Sequence, residues 1–214
     1  MPFLFFAAVA LIGAAIHRHR DTQPRSAART LEIFLVWWMV VAVGVAAING
    51  PCAGLGFVMA MMCDLRFAAP GTKLTTAFAR RGLVAEYGLS WVLPRVIGPA
   101  RAMDLLLSGR TLLAEEASHL GVVDRLTDLD QALAEATEYA RELATYSSPA
   151  SMATIKRQVY DDLEQPLAAA TADAYTYMDE SFERSDFAEG VASFVERREP
   201  RFPPLGDEVG AARS

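Results

Sequence analysis

Gly54-Leu55-Gly56 and Glu86 are the residues of this 214-residue chain whose types and spacing could do chemistry. The two glycines lie between a short apolar strand, Val45-Ala46-Ala47-Ile48, and an apolar stretch from Phe57 to Cys63. The first backbone N–H groups of a helix have no internal partner, and the macrodipole adds partial positive charge there. Glycine lets a ligand approach the backbone closely. Such a corner can hold a phosphate, a carboxylate or a developing oxyanion. It can equally be a place where strand and helix pack tightly. The third glycine of a dinucleotide fingerprint is missing, and no Gly-Lys-Ser/Thr follows to make a phosphate loop. Glu86 stands just ahead of a helix expected from Gly88 to Ile97, where it either favours the dipole as a cap or serves as an acid/base.

Other reactive side chains fit structural roles better. His119 falls near the end of a helix closed by Gly121, where a histidine favours the dipole. Ser90 and Ser108 have no nearby histidine and no nucleophile-elbow context. Cys52 and Cys63 have mostly apolar neighbours, so buried inert thiols are expected. No metal-ligand spacing occurs, and no cofactor is implied.

The elements that must position these groups follow from punctuation and periodicity. Asn49-Gly50-Pro51 and Pro70-Gly71 are turn signals. Phe57 to Cys63 is apolar all round and reads as a buried helix. Leu65 to Ala69 reads as a strand, Leu74 to Phe78 as a short extended piece, and Val122 to Leu126 as strand-like. Leu129 to Thr145 is amphipathic, with Leu129, Leu133, Ala136, Ala140 and Leu143 on one face. Ser148-Pro149 starts a helix with Ile155, Val159 and Leu163 in line. Leu167 to Glu183 follows Pro166. Asp186-x-x-Glu189 has the form of a capping box ahead of Phe187, Val191 and Phe194.

Composition sets the class. Hydrophobic residues make up 52% of the chain and charged residues 21%, which excludes a disordered chain or a long coiled coil. Two cysteines exclude a disulfide scaffold, and a net charge of −6 argues against a nucleic-acid partner. Residues 1–50 carry four arginines against two acids, so the remainder holds the negative charge. Phe3–Ile16 and Ile33–Ile48 are apolar runs that fall just short of a membrane span. The first lacks the Lys or Arg and the cleavage site of a signal peptide. A cytoplasmic protein is expected, with membrane attachment through residues 3–16 and 33–48 as an alternative.

Ala46-Ala47-Ile48-Asn49-Gly50-Pro51-Cys52-Ala53-Gly54-Leu55-Gly56, then Ala60-Met61-Met62-Cys63-Asp64-Leu65-Arg66-Phe67-Ala68, closely resembles the signature of the enoyl-CoA hydratase/isomerase (crotonase-like) family. Ala85-Glu86-Tyr87-Gly88, Leu93-Pro94-Arg95-Val96-Ile97-Gly98 and Phe187-Ala188-Glu189-Gly190-Val191 continue it in one register from about Val45 to Phe202. The resemblance implies an α/β fold, a spiral of ββα units with a C-terminal helical oligomerisation region and an incomplete N-terminal part. It divides the chain into an atypical segment (1–44), a core (45–145), a helical region (146–202) and a disordered tail (203–214).

The resemblance also implies the chemistry. Members bind acyl-CoA thioesters and stabilise an enolate with two backbone N–H groups. The Leu55 N–H matches one donor, and Ala53, Gly54 and Gly56 flank it as substrate-binding positions. The Ala-Gly-Ala-Asp-like motif of the other donor is absent from residues 1–44, and Ala42-Val43 replace the Lys-Pro that usually precedes the strand. Val58 and Phe78 occupy the two glutamate positions of the hydratases, so a two-carboxylate water addition is not expected. Glu86 matches the later carboxylate used by isomerases, where Tyr87, Trp91 and Phe78 would partly desolvate it. Arg197 matches a position where members reach the CoA nucleotide of a neighbouring subunit, and an arginine can hold phosphate. It can also belong to a solvated face with Glu196 and Arg198. A homotrimer or dimer of trimers acting in acyl-CoA metabolism is expected. A catalytically impaired remnant that keeps CoA binding is the alternative.

Overall fold

The computed structural model describes residues 43–205. The apolar run Phe3–Ile16, most of Ile33–Ile48 and most of the expected tail lie outside the described residues. β1 (Val45–Ile48), β2 (Cys52–Ala53), α1 (Leu55–Met61), β3 (Leu65–Ala68) and β4 (Lys73–Thr75) come first. A 3-10 turn at Ala79–Arg81, α2 (Leu89–Ile97), α3 (Pro99–Ser108), β5 (Leu112–Leu113), α4 (Ala114–Leu120) and β6 (Arg125–Leu126) follow. The longer helices α5 (Ala132–Tyr146), α6 (Pro149–Asp162), α7 (Leu167–Phe182) and α8 (Ser185–Glu196) complete the described chain.

The first four strands alternate between two small sheets. β1, β3 and β6 form one parallel sheet, with Val45 opposite Leu65 and Phe67 opposite Arg125. β2 runs parallel to β4 in the other, and β5 closes it antiparallel. The first two turns therefore each send one strand to each sheet before a helix, as expected of a spiral of ββα units, while in the third a helix separates β5 from β6. Phe57, Val58, Leu74, Leu89, Leu93 and Leu105 fill the core between them. Phe57 and Val58 come from an apolar run visible in the sequence, whereas Leu74 and Leu89 are flanked by polar residues or glycine.

Two buried ion pairs brace the first sheet. Arg66, on β3, donates from Nε to the Val122 carbonyl at 2.9 Å and from Nη1 to the Cys63 carbonyl at 2.7 Å. Its Nη2 meets Asp124 Oδ2 at 2.7 Å, and the same oxygen accepts the Arg66 backbone N–H at 2.8 Å. Lys156, on α6, reaches Asp64 Oδ2 at 2.7 Å, where the Gly44 N–H also donates at 2.7 Å. Sheet entry and a helix 92 residues away are thereby tied through one carboxylate.

Several elements differ from expectation. Only Arg125 and Leu126 of Val122–Leu126 are strand, because Val122 and Val123 are buried and turn their N–H groups to the Ala117 carbonyl. α5 faces the sheet with Ala132 and Ala136, while Leu129 and Leu133 are exposed. Alanines allow the close approach that puts Tyr139 5.7 Å from Phe67, with Arg125 over both rings. Ser148 does cap α6, accepting the Ser151 N–H at 3.0 Å. Asp186 and Glu189 do not form a capping box. α8 starts at Ser185 without a side-chain cap, Asp186 accepts the Ser148 hydroxyl, and Glu189 holds Arg198 in a two-pronged pair at 2.6 and 3.0 Å. Tertiary donors, one of them charged, outcompete the helix's own N–H groups.

The amphipathic stripes of the last helices are not covered within the described chain. Ile155, Val159 and Leu163 border an apolar cleft of about 450 Å³ shared with Trp91 and Tyr160. α7 has no buried residue. Among the described residues no helix is long and apolar enough to cross a membrane.

Lys156→Met will lower unfolding free energy by about 3 kcal/mol, because Asp64 keeps its charge and loses its counterion; urea denaturation measures this. The Arg198 pair and the Arg201 N–H together hold the Glu189 carboxyl down at about 2, against an ordinary 4.5. A depressed carboxylate stabilises fully above its unfolded value and loses that contribution as pH falls through the folded one. The C-terminal segment at Arg198–Arg201 will therefore loosen between about pH 4.5 and about pH 2. Amide exchange across that window will show it in the native protein and not in Glu189→Gln.

Candidate active site

The corner between β2 and α1 is built by one residue that must be glycine. Gly54 takes φ +55° and ψ −121°, a backbone that side-chain-bearing residues rarely adopt. Its N–H donates to the Thr75 carbonyl at 3.1 Å, which locks the corner to β4, and its carbonyl accepts the Val58 N–H at 3.0 Å, which opens the helix. No side chain caps α1. The N–H groups of Leu55 and Gly56 donate to no acceptor among the described residues. A Cβ built on Gly54 or Gly56 would meet nothing within 4 Å. Tight strand-to-helix packing therefore does not explain these glycines. Ala53 is exposed at the end of β2, and Leu55 is half-buried with its side chain against the core. The corner thus holds two backbone donors without an acceptor among the described residues.

Glu86 lies on the turn that enters α2. Tyr87 and Gly88 are both left-handed, at φ +51° and +77°, and the Glu86 carbonyl accepts the Leu89 N–H at 3.0 Å. Gly88 is the N-cap of α2 and no side chain caps that helix, so Glu86 makes no capping hydrogen bond there. Glu86 is half-buried, and its carboxylate makes no hydrogen bond or ion pair among the described residues. The turn is held against α1, since a Cβ on Gly88 would lie 3.6 Å from Met62 Cε. The aromatic surroundings differ in part from expectation. Phe78 is in the core, but Trp91 stacks on Tyr160 with ring centroids 6.5 Å apart and carries Arg95 at 3.8 Å.

Val58 is fully buried at 0% exposure and Phe78 nearly so at 4%. Neither position has a proton to move. Burial pushes the Cys52 thiol up to about 12. It pushes Cys63 to about 11, with Asp64 adding to the shift and Arg66 and Lys156 opposing it. His119 is in the last turn of α4, ahead of the left-handed Gly121. Ser108 Oγ accepts the Arg110 N–H at 3.1 Å. Arg197 ends α8 in the left-handed region at φ +55° and is exposed. No interaction among the described residues links it to the glycine corner. Among the described residues no group of three metal-ligating side chains occurs.

Sequence reading missed the charged framework around the site. Asp64, Arg66, Asp124 and Lys156 were each one charge in a local pattern. The available signal was Asp64 and Arg66 standing inside the apolar run from Met61 to Ala69. A charge at such a place is expected to be buried and paired.

Residues 5–204 match the family model described as enoyl-CoA hydratase/isomerase, and the chain belongs to that family. The match includes most of the stretch ahead of Val45. The chain is 35% identical over 159 residues to the enoyl-CoA hydratase ACTT3 of Alternaria alternata, covering 74% of this chain and 53% of that protein. It is 35% identical over 164 residues to the 1,2-epoxyphenylacetyl-CoA isomerase of Escherichia coli, covering 74% and 60%. The crystal structure of an enoyl-CoA hydratase from Polaromonas sp. JS666 superimposes with a TM-score of 0.76 at 26% identity, covering 89% of this chain and 75% of that one. The chain thus spans between a half and two thirds of the length of these two curated relatives. The crotonase-like α/β architecture expected from the signature is the architecture of this protein.

Thiols held this far above working pH are poor nucleophiles. A disulfide thiol reagent at pH 8 will label neither cysteine in the native protein over minutes and will label both in guanidinium. Rapid labelling of Cys63 in the native state would contradict the placement.

Proposed function

We propose that this protein binds an acyl-CoA thioester at the Gly54–Gly56 corner and shifts a double bond along the acyl chain. The observation that carries the reading is the open corner, where Leu55 and Gly56 keep unused N–H groups beside space that no described residue fills. A thioester oxygen set there receives fixed dipoles that strengthen as it becomes negative. Ala53, Gly54 and Gly56 bound the seat, and the Leu55 N–H is the donor.

Glu86 supplies the proton transfer. Its carboxylate removes a proton from the carbon next to the thioester, and the electron pair passes into the carbonyl as an enolate. The protonated Glu86 then returns that proton two carbons along the conjugated system, restoring the carbonyl and moving the double bond. One group suffices because the same proton leaves and returns. Addition of water by a pair of carboxylates is disfavoured here, since Val58 and Phe78 hold the other two positions in the core. Arg197 is exposed at the end of α8 and suits a phosphate of the CoA nucleotide on a neighbouring copy. The uncovered stripe of α7, with Leu167, Tyr175 and Met178 exposed, suits a homotrimer or dimer of trimers. Light scattering that returns a monomer would remove the oligomer. The reaction requires no added cofactor, and the reading places the protein in the cytoplasm.

Conversion of a 3-enoyl-CoA to its 2-enoyl isomer, read by absorbance of the conjugated thioester, tests the mechanism. Glu86→Gln will lower kcat by about 10²-fold or more. Leu55→Pro removes the donor at a helix position where proline is tolerated, and will lower kcat by about 10²-fold. Leu55→Ala keeps the N–H and will leave kcat within a few-fold. Equal turnover by wild type and Glu86→Gln would overturn the acid/base role. Calorimetric binding of the thioester without turnover would leave the CoA-binding remnant instead.

A further inference from the structure

The apolar cleft of about 450 Å³ between α2, α5 and α6 stands open among the described residues. Trp91 and Val96 of α2, Leu143 of α5, and Ile155, Val159 and Leu163 along α6 line it. The last three are each more than half exposed, at 58, 57 and 53%. The charged residues of the lining are already paired. Asp64 holds Lys156, Arg66 holds Asp124, and Arg95 holds Glu164. A charged head group would find no unpaired partner in that lining, so the cleft fits an uncharged apolar occupant.

The described chain begins at this same place. Val43, its first residue, lines the cleft, and the Gly44 N–H donates to Asp64 on the cleft wall at 2.7 Å. Residues 33–42 lie outside the described residues and join directly to Val43. They hold no charged, amide or hydroxyl side chain, and Phe34, Trp37, Trp38 and Met39 are among them. β1 takes Val45–Ile48 of the apolar run into the first sheet, which leaves only residues 33–44 of it. That remainder is well short of the ~20 residues with which a helix crosses a bilayer. A segment tethered at the cleft wall also meets the cleft at an effective concentration of about millimolar, far above that of a dilute partner. We propose that residues 33–42 of the chain itself fold back over this cleft, with Trp37 and Trp38 against its apolar wall. The exposed faces of Ile155 and Val159 are then an internal interface, and the apolar run is core and not a membrane anchor. The cover ties α2, the helix that Glu86 precedes, to α6.

The chain has three tryptophans, Trp37, Trp38 and Trp91. In full-length Trp91→Phe only the two in the segment remain, and acrylamide quenching reads their accessibility, with circular dichroism as the check on folding. They are expected to be quenched several-fold less than N-acetyltryptophanamide. Val159→Asp in the same background sets an unpaired carboxylate into the interface and is expected to raise the quenching by about threefold or more. Leu133→Asp, at an exposed position of α5 that does not line the cleft, is expected to leave it unchanged. Should Val159→Asp fail to fold, Ile155→Asp and the Trp91→Phe parent still decide the matter. Full accessibility in the parent, or quenching indifferent to both cleft substitutions, would overturn the proposal. So would protection gained only on adding phosphatidylcholine vesicles, which assigns the segment to a membrane, or protection lost on dilution, which assigns it to a neighbouring copy. Enoyl-CoA turnover does not enter the measurement, so its failure and that of the isomerase reading are distinct.

Discussion

The buried guanidinium of Arg66 is the constraint on which the described architecture turns. It sits on β3 with almost no access to water, and it must find partners for its N–H groups there. The Cys63 carbonyl behind it, the Val122 carbonyl beside it and the Asp124 carboxylate supply them. Meeting that demand fixes where the chain leaves α1 and where it returns as β6. Asp64, two residues earlier, is held in turn by Lys156 of α6 and by the N–H of Gly44 ahead of β1. Two acids and two bases, drawn from three separate stretches of the chain, define the register of the first sheet. Ion pairs this deep add little net stability, but an alternative register would strand one of the charges.

The corner itself depends on the register of the second sheet, through β4. Gly54 donates to Thr75, and Thr75 uses its own hydroxyl to reach the Gly109 carbonyl at 2.9 Å. A slip of one residue in the second sheet would break both bonds and turn the first N–H groups of α1 elsewhere. Donors that stay aimed without reorganising are what stabilise a developing oxyanion. Rigidity in the sheets is thus the source of chemical capacity at the helix start. The strained turn of Tyr87 and Gly88 places Glu86 outside the regular helix, where it makes no capping hydrogen bond.

The helical half follows another logic. α5 lies on the first sheet through alanines and one tyrosine, a contact that small side chains allow and large ones would prevent. Among the described residues, α6, α7 and α8 keep much of their apolar surface uncovered, and one buried carboxylate oxygen, of Asp186 on α8, has no hydrogen-bond partner. A single short domain has too little core to cover so many amphipathic stripes. Their exposed faces are where the molecule has room left to meet something else.

Much of this was legible in the residues themselves. Apolar runs broken by Asn49-Gly50-Pro51 and Pro70-Gly71 located β1, α1 and β3, because burial and turn chemistry are local demands, while the piece expected over Leu74–Phe78 pairs as strand only over Lys73–Thr75. The signature around Gly54-Leu55-Gly56 located the corner, since only glycine tolerates its backbone. Other features were decided by tertiary contact. Asp186-x-x-Glu189 looked like a local cap and became two long-range anchors, because Ser148 and Arg198 compete better than the helix's own amides. Leu129 and Leu133 looked like core and face solvent, because the sheet selects the alanine face of α5. Sequence by itself determined the elements and the backbone chemistry of the corner, where interactions span a few residues. Which charges pair, which helix face is covered and which oxygen is left without a donor were decided only by folding. Those outcomes depend on groups far apart in the chain whose proximity no local pattern encodes.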